Sequence, residues 1–598
     1  MAYFDDFSSL AVALVLTLAT WKVAYEAFFS PLSSIPNAHW SAPLSRLWIL
    51  FIRFSRQENR TLHAAHRRLG PILRVGPREL SINDFDSVRT VYQGGFDKTV
   101  WYSVFDNYGA PCMFSTRPMV EHSLRKRLIS NVYSKSYIHA STAAAAQARD
   151  ILFNRMLPIL EDSISGPRSL GVIDIYSTFM ATTMDFIACY IFGLRNGTDF
   201  LREKAYREHF LELYKARNDY GIYDQELPWL TKLCRRLGIP FCPKWVDGAN
   251  KELGEWCLRL CNRLWDDAPA ATTKDNDDDD TSPLPPSSSP SNPADQPVVW
   301  TALVSGLRKE EAKNGRSSLL FPTALSNFHL SVASELFDHV LAGQETAGVT
   351  LSYLAWRLSQ RPDLQRQLRE ELLTLSPNLR FLANESRASP PPELPDPKHL
   401  DHPPLLHAVI METLRLHAPL PGAEPRQTPP QGCRIGPYHV PGGVRVAAMP
   451  YMLHRDETVF PEPEKWDHTR WLPSVGATEE ERKQQNRQFW AFSSGGRMCI
   501  GSNFAMHEMK LIIAAIYSNY TTHIVDDAGM ENQSDGYAGR PEHERLFLRL
   551  ERVALTIAFL NPSKPLVQNN LHHTYYFFLF FFPRCPASCL HSQRSHPR

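Results

Sequence analysis

A cysteine set among glycines, just ahead of an apolar helical segment, constrains this chain more than any other feature. The segment reads Phe492-Ser-Ser-Gly-Gly-Arg-Met-Cys-Ile-Gly501, and a helical pattern follows over Asn503–Tyr517. A thiolate at a helix N-terminus is stabilised by free backbone N–H groups and the helix dipole. The glycines Gly495, Gly496 and Gly501 allow close approach to a flat ligand. This pattern predicts a thiolate cradle for a metal cofactor at Cys499. Arg497 could pair with an anionic group of that ligand, and Phe492 could pack beneath the loop.

A second candidate lies inside a long, apolar, proline-free segment, Ser326–Gln360, which predicts a buried helix. It reads Ala342-Gly-Gln-Glu-Thr346, where small residues could open room beside the helix. Thr346 can donate or accept a hydrogen bond, and Glu345 can relay protons. The structural alternative is a threonine hydroxyl that bonds back to the carbonyl four residues earlier.

A third pattern, Glu412-Thr-Leu-Arg415, places an acid and a base on one helix face, where they can pair. Alone it is common. In chain order, however, the three patterns resemble the cytochrome P450 family. The cysteine loop matches all five fixed positions of F-x-x-G-x-R-x-C-x-G, and the likeness extends over about Ile35–Ala558.

The resemblance implies a mainly α fold with small β-sheets (α+β), haem b with Cys499 as axial iron ligand, and Glu345 with Thr346 as the catalytic proton-delivery pair. It also implies a buried network of Glu412, Arg415 and Arg470. Further residues implied to bind the cofactor are Phe492, Gly495, Arg497, Gly501, Lys126 and Arg426. The sequence departs from the family at His122, in place of a tryptophan, at His468-Thr469, in place of Pro-Glu, and at Ala347, in place of a second hydroxyl.

The N-terminus carries no charge from Phe7 to Trp21, and Leu10–Phe29 is long enough to cross a bilayer if Lys22 snorkels. Basic residues follow this stretch, which places the body in the cytoplasm. We expect a single-pass anchor over residues 1–30, in the endoplasmic reticulum membrane. The proline-bearing segment Ile35–Pro43 predicts a hinge.

The catalytic unit is expected over residues 31–560, with hairpins at Ile72–Ile82 and Tyr438–Val446. Residues 268–297, which hold an Asp run and a Pro/Ser run, predict a solvated insertion within that unit. Residues 561–598 form a tail of unclear status, whose apolar run is too short to span a membrane.

The charge balance argues against a general nucleic-acid binder, because 64 Lys+Arg face 63 Asp+Glu. The favoured function is a monooxygenase that inserts one oxygen atom of O2 into a hydrophobic small molecule, as in secondary metabolite biosynthesis, with electrons from an NADPH-cytochrome P450 reductase. Two alternatives stay open: a haem-thiolate isomerase or dehydratase without external reductant, and a non-catalytic haem-binding membrane protein. No pattern in the sequence identifies the substrate.

Overall fold

The computed structural model describes residues 2–165, 171–239, 241–267, 291–381, 392–473 and 478–553. Helices dominate this part of the chain, in agreement with the predicted fold class. Their bounds are α1 Ala2–Ala24, α2 Leu47–Phe54, α3 Glu58–Leu69, α4 Phe85–Val88, α5 Met119–Ile129, α6 Lys135–Ala140, α7 Thr142–Arg149, α8 Leu157–Ser165, α9 Ile175–Phe192, α10 Lys204–Glu226, α11 Pro228–Arg236, α12 Lys244–Asp267, α13 Val298–Asn314, α14 Phe328–Ser359, α15 Pro362–Leu372, α16 Pro397–Asp401, α17 Pro404–Leu416, α18 Pro450–Leu453, α19 Glu479–Gln488 and α20 Ser502–Asn519.

Three small sheets accompany the helices. The largest has the strand order β1-β2-β8-β5-β3, a second is β4-β10-β9, and β6 pairs with β7 alone. The strand bounds are β1 Ile72–Gly76, β2 Glu79–Ile82, β3 Asp97–Lys98, β4 Val172–Asp174, β5 Arg426–Gln427, β6 Cys433–Ile435, β7 Tyr438–Val440, β8 Arg445–Ala447, β9 Tyr520–Asp526 and β10 Phe547–Arg552.

The core is organised around α14, which has 32 residues and packs lengthwise against α9. Glycines permit this close approach. A Cβ at Gly343 would lie 2.6 Å from Ile187, and one at Gly348 would lie 2.8 Å from Met180. The room that Gly343 leaves is therefore filled by α9, and is not open as the sequence suggested.

One predicted hairpin is confirmed and the other is wrong. β1 and β2 pair antiparallel. Tyr438–Val440 pairs instead with Cys433–Ile435, whereas Arg445–Ala447 joins the main sheet beside β2 and β5. Strands this short take their partners from tertiary packing, which local turn residues do not encode.

The expected hinge is also wrong. Ala38 donates its N–H to the Arg74 carbonyl at 2.9 Å, and Arg74 donates back to Pro36 at 2.8 Å. The segment is thus hydrogen-bonded along β1. Beside it, the buried Arg74 guanidinium donates to the Glu26 carbonyl at 2.8 Å, so the end of the N-terminal helical region is fixed to the sheet.

Within the part of the chain that the structure describes, two helical segments are long and apolar enough to span a membrane, and one of them is exposed. Leu10–Phe29 is 6% buried, whereas Ile175–Phe192 is 94% buried and belongs to the core. Most of the expected insertion over 268–297, namely 268–290, lies outside the described residues, as does the tail over 561–598. The end of the insertion packs on the body, since Gln147 donates to the Ala294 carbonyl at 2.9 Å.

Candidate active site

The loop that carries Cys499 folds back on itself before α20. Cys499 donates its N–H to the Phe492 carbonyl at 3.0 Å, and Met498 donates to Gly495 at 3.1 Å. Gly495 has φ of +73°, and a Cβ there would lie 2.4 Å from the Tyr92 carbonyl oxygen. Glycine is therefore required at this position by both conformation and space.

The Cys499 sulfur lies at the start of α20. Burial raises the pKa of this thiol, while hydrogen bonds from the N–H groups of Gly501 and Ser502 lower it. The side chain nonetheless retains an accessible surface. An accessible sulfur with two helix N-terminal donors suits a metal-bound thiolate. A Cβ at Gly501 would meet the sulfur at 3.9 Å, which is ordinary contact.

Buried cationic groups lie beside this loop. Arg497 donates through Nη1 to the Thr116 carbonyl at 2.8 Å, but its Nε has no partner among the described residues. Burial and repulsion by Arg426 lower the Arg497 pKa to about 10. His122 is 3% exposed with an unpartnered Nδ1, and burial with the nearby Arg497 and Lys98 lowers its pKa to about 2.

Two further members complete what we call the cationic cluster, defined as Lys98, His122, Arg426 and Arg497, in which His122 is neutral and offers a hydrogen bond. Arg426 meets Glu424 at 3.3 Å, and Glu424 also accepts from the Ser493 hydroxyl at 2.8 Å. Lys98 donates to the Phe114 carbonyl, and burial and repulsion by Arg426 lower its pKa. With Glu424 as the ion-paired carboxylate here, positive charge is in excess, so the cluster suits an anionic ligand.

Sequence reasoning missed Lys98 because β3 has only two residues and no surrounding pattern. It placed Lys126 as a cofactor contact. In the structure, the Lys126 ammonium donates to the carbonyls of Gly496 and Met498 at 3.1 and 2.9 Å. Lys126 thus braces the cysteine loop.

The three residues of the expected network do come together. Glu412 and Arg415 form a two-bonded ion pair, with both N–O distances 2.8 Å and both side chains fully buried. Arg470 is looser, at 3.4 Å from Glu412. The remaining hydrogen bonds to Glu412 come from the Asp467 N–H at 2.8 Å and the Trp471 indole at 3.0 Å.

His454 connects this network to the cysteine loop. Its Nδ1 donates to the Arg415 carbonyl and its Nε2 accepts from the Trp490 N–H, both at 2.8 Å. Burial and the nearby Arg415 lower the His454 pKa to about 3, so the ring is neutral. Sequence reasoning missed this role of His454, because both of its partners lie far away along the chain.

On α14, an accessible stripe runs through an otherwise buried stretch. Asp338, Ala342, Glu345 and Thr346 keep accessible surface, while most residues around them are buried. Ala342, Glu345 and Thr346 lie four, seven and eight residues after Asp338, so all four residues share one side of the helix. We call this stripe the open face. The Thr346 hydroxyl donates to the Ala342 carbonyl at 2.8 Å, which was the structural alternative.

Glu345 is held by two residues that the sequence did not point to. The Tyr214 hydroxyl of α10 donates to it at 2.8 Å, and the Arg540 guanidinium forms an ion pair with it. Arg540 also lies 3.5 Å from Glu544. The acid thereby joins α14 to α10 and to the loop before β10.

Comparison with known proteins agrees with this geometry. Residues 323–545 match the family model "Cytochrome P450". The chain is similar to cytochrome P450 monooxygenase orf2 of Aspergillus niger, with 25% identity over 87% of this chain and 92% of that protein. It is also similar to cytochrome P450 monooxygenase hkm5 of Aspergillus hancockii, with 26% identity over 86% and 89%. Cytochrome P450 monooxygenase avaI of Aspergillus versicolor is 28% identical over 74% and 93%.

The chain is thus similar to cytochrome P450 monooxygenases over most of its length, and its residues 323–545 carry the match to the family model. Its residues fit the haem that the family implies. Cys499 offers an accessible sulfur with two N–H donors. Arg497 Nε and His122 Nδ1, which have no hydrogen-bond partner among the described residues, lie in a cluster with surplus positive charge, which suits carboxylate groups.

Proposed function

We propose that this protein is a membrane-anchored haem-thiolate monooxygenase that acts on a hydrophobic small molecule. The balanced reaction takes substrate, O2, NADPH and a proton to hydroxylated substrate, water and NADP+. A membrane-bound NADPH-cytochrome P450 reductase would supply the electrons. The accessible Cys499 sulfur beside the cationic cluster carries the proposal. Cys499 would hold haem iron there, and haem with a thiolate ligand would supply oxygen activation, because such a ligand favours O–O cleavage.

The chain's own residues would divide the remaining work. Cys499 would hold the iron, while Arg426, Arg497, Lys98 and His122 would hold the carboxylate groups. Thr346 is the open-face hydroxyl that could pass a proton, and Glu345 is the acid beside it. In the present geometry Glu345 is bound by Tyr214 and Arg540, so it must leave one of them to exchange a proton.

The exposed Leu10–Phe29 helix supports the anchor, which we place in the endoplasmic reticulum membrane with the catalytic unit in the cytoplasm. Deleting residues 1–24 should release the protein from membranes and leave the haem spectrum unchanged. The deletion retains Glu26 and its contact with Arg74. Membrane fractionation of both forms measures this.

The carbon-monoxide difference spectrum of the reduced protein tests the proposal. A strongly red-shifted Soret band is expected for the parent protein, and Cys499→Ala should lose it. Cys257→Ala is the matched control, because this thiol is fully buried in the core. NADPH-dependent substrate turnover with added reductase then separates a monooxygenase from an isomerase. A band that persists in Cys499→Ala would overturn the ligand assignment.

A further inference from the structure

The open face contains an acid that the proposed proton delivery does not use. Asp338 stands eight residues before Thr346 on the same side of α14, about 12 Å along the helix axis. Ala342, between them, presents only a methyl group and is exposed. A ligand lying along this face would therefore have the acid near one end and the reactive region near the other.

Asp338 differs from the two neighbouring acids of α14. Glu335 accepts the Met113 N–H at 2.8 Å and lies 3.8 Å from Arg125. Glu345 is ion-paired with Arg540. Among the described residues, Asp338 forms no ion pair, and the Cys112 thiol is the hydrogen-bonding side chain beside it. Burial raises its pKa to about 6, because the nearby His339 and Lys98, which lower it, do not offset the loss of solvation.

Two nearby cationic side chains, Arg217 and Lys98, have other partners. Arg217 donates to the side-chain oxygens of Asn107 at 3.0 Å and Asn250 at 3.4 Å, and its guanidinium lies 5.3 Å from the Phe337 ring centre. Lys98 donates to a backbone carbonyl and lies 3.7 Å from the Phe114 ring centre. Neither of these two cations forms an ion pair with the Asp338 carboxylate.

The loop that precedes α5 makes polar contacts with α14 at Ser334, Glu335 and Asp338. Asn107 and Ala110 bond to Ser334, and Met113 bonds to Glu335. The same loop carries the half-buried rings of Phe105 and Phe114, whose centres are 5.0 Å apart. A carboxylate without an ion pair binds organic cations by charge, and the faces of aromatic rings attract cations as well.

We propose that Asp338 is a specificity-determining residue, and that the substrate is a hydrophobic molecule bearing an organic cation such as a protonated amine. This inference rests on the proposed function and names the substrate class of the same site. The ammonium group would pair with Asp338 and direct the apolar remainder along Ala342 toward Thr346. A buried carboxylate gains most from a partner that neutralises it, because an unpaired charge in that position is poorly solvated.

The test uses the full-length holoenzyme in lipid nanodiscs and a matched pair of probes. One is (4-phenylbutyl)trimethylammonium, which has no lone pair and cannot ligate iron. The other is its neutral isostere, in which carbon replaces the nitrogen. Equilibrium dialysis gives both dissociation constants for the parent protein, Asp338→Asn and Glu544→Gln. Glu544 is the matched control, since this acid is already paired with Arg540 and Lys215.

We expect the parent protein to bind the cation at least tenfold more tightly than the isostere. Asp338→Asn should abolish that preference and leave the dissociation constant of the isostere within twofold of the parent value. Glu544→Gln should retain the preference for the cation. Equal binding of both probes by the parent protein would overturn the proposal, as would an equal loss for both in Asp338→Asn. Tighter binding of the anion 5-phenylpentanoate than of the cation would indicate that Arg217 selects the ligand. That result would also overturn the proposal. Dialysis needs no turnover, so failure of the monooxygenase assignment appears separately, in the carbon-monoxide spectrum.

Discussion

The Glu412–Arg415 pair and the open face of α14 both place charged groups inside the protein, but the two regions differ in the partners that those groups have. Each carboxylate oxygen of Glu412 accepts two hydrogen bonds, and Arg415 also donates to three backbone carbonyls. On the open face, Asp338 has no ion pair among the described residues. A closed polar network fixes a geometry, whereas an unpaired acid leaves an interaction available to a ligand.

The largest effect should come from opening the closed network. Arg415→Met leaves Glu412 buried without its main partner, and we expect a loss of about 3–5 kcal/mol in the free energy of unfolding. Arg470→Met is the matched control, with a loss of about 1 kcal/mol, because the Arg470 Nε makes no hydrogen bond. Urea unfolding of the holoprotein measures both. Equal losses of unfolding free energy in the two variants would show that Arg470 stabilises the network as much as Arg415 does.

The contrast also explains what the sequence could predict. Glu412 and Arg415 are three residues apart on one helix, so their pairing follows from local geometry. Likewise, the helix around Thr346 follows from apolar periodicity over Ser326–Gln360, and the structure places it at Phe328–Ser359.

Residues that act through long-range contacts could not be found in this way. Lys98 reaches the cationic cluster from a two-residue strand, and Arg540 reaches Glu345 across 195 positions. His454 bridges Arg415 and Trp490, which are 75 positions apart by residue number. Nothing in the sequence near these residues distinguishes them from ordinary surface or core positions, because their partners are set by packing.

A smaller effect is expected at the bridge between the network and the cysteine loop. His454→Phe keeps an aromatic ring opposite Phe489 but removes both hydrogen bonds, leaving the Trp490 N–H without its acceptor. We expect a loss of about 1–3 kcal/mol. His454→Gln, which can restore one bond, should lose less. If the two variants unfold alike, the bridge contributes by packing alone.

On the open face, Thr346→Ala should change chemistry more than stability. Its hydroxyl bonds only to the helix carbonyl of Ala342 among the described contacts, so the expected loss is about 1 kcal/mol or less. Peroxide release should rise several-fold relative to product. Thr350→Ala is the matched control, because Thr350 makes the same type of bond to the Thr346 carbonyl but is buried. An unchanged peroxide-to-product ratio in Thr346→Ala would remove Thr346 from proton delivery.

The sign of the pH dependence of stability should also differ between the two regions. His454 has a pKa lowered to about 3, so its contribution to stability is present above its ordinary pKa and is lost as pH falls toward 3. Asp338 has a pKa raised from 3.8 to about 6, so its contribution is present below 3.8 and is lost as pH rises through 6. The charged or titratable groups around it are Glu335, His339, Cys112, Lys98 and Arg217.

Asp338→Asn removes this titration without changing the shape of the side chain. The variant should therefore gain stability relative to the parent protein as pH rises from about 4 to about 7, by at most about 3 kcal/mol. Urea unfolding at both pH values measures the difference. A bound organic cation should reduce that gain, because it stabilises the ionised carboxylate of the parent protein alone. A stability difference that does not change with pH would mean that Asp338 already has a partner, and the contrast between the two regions would fail.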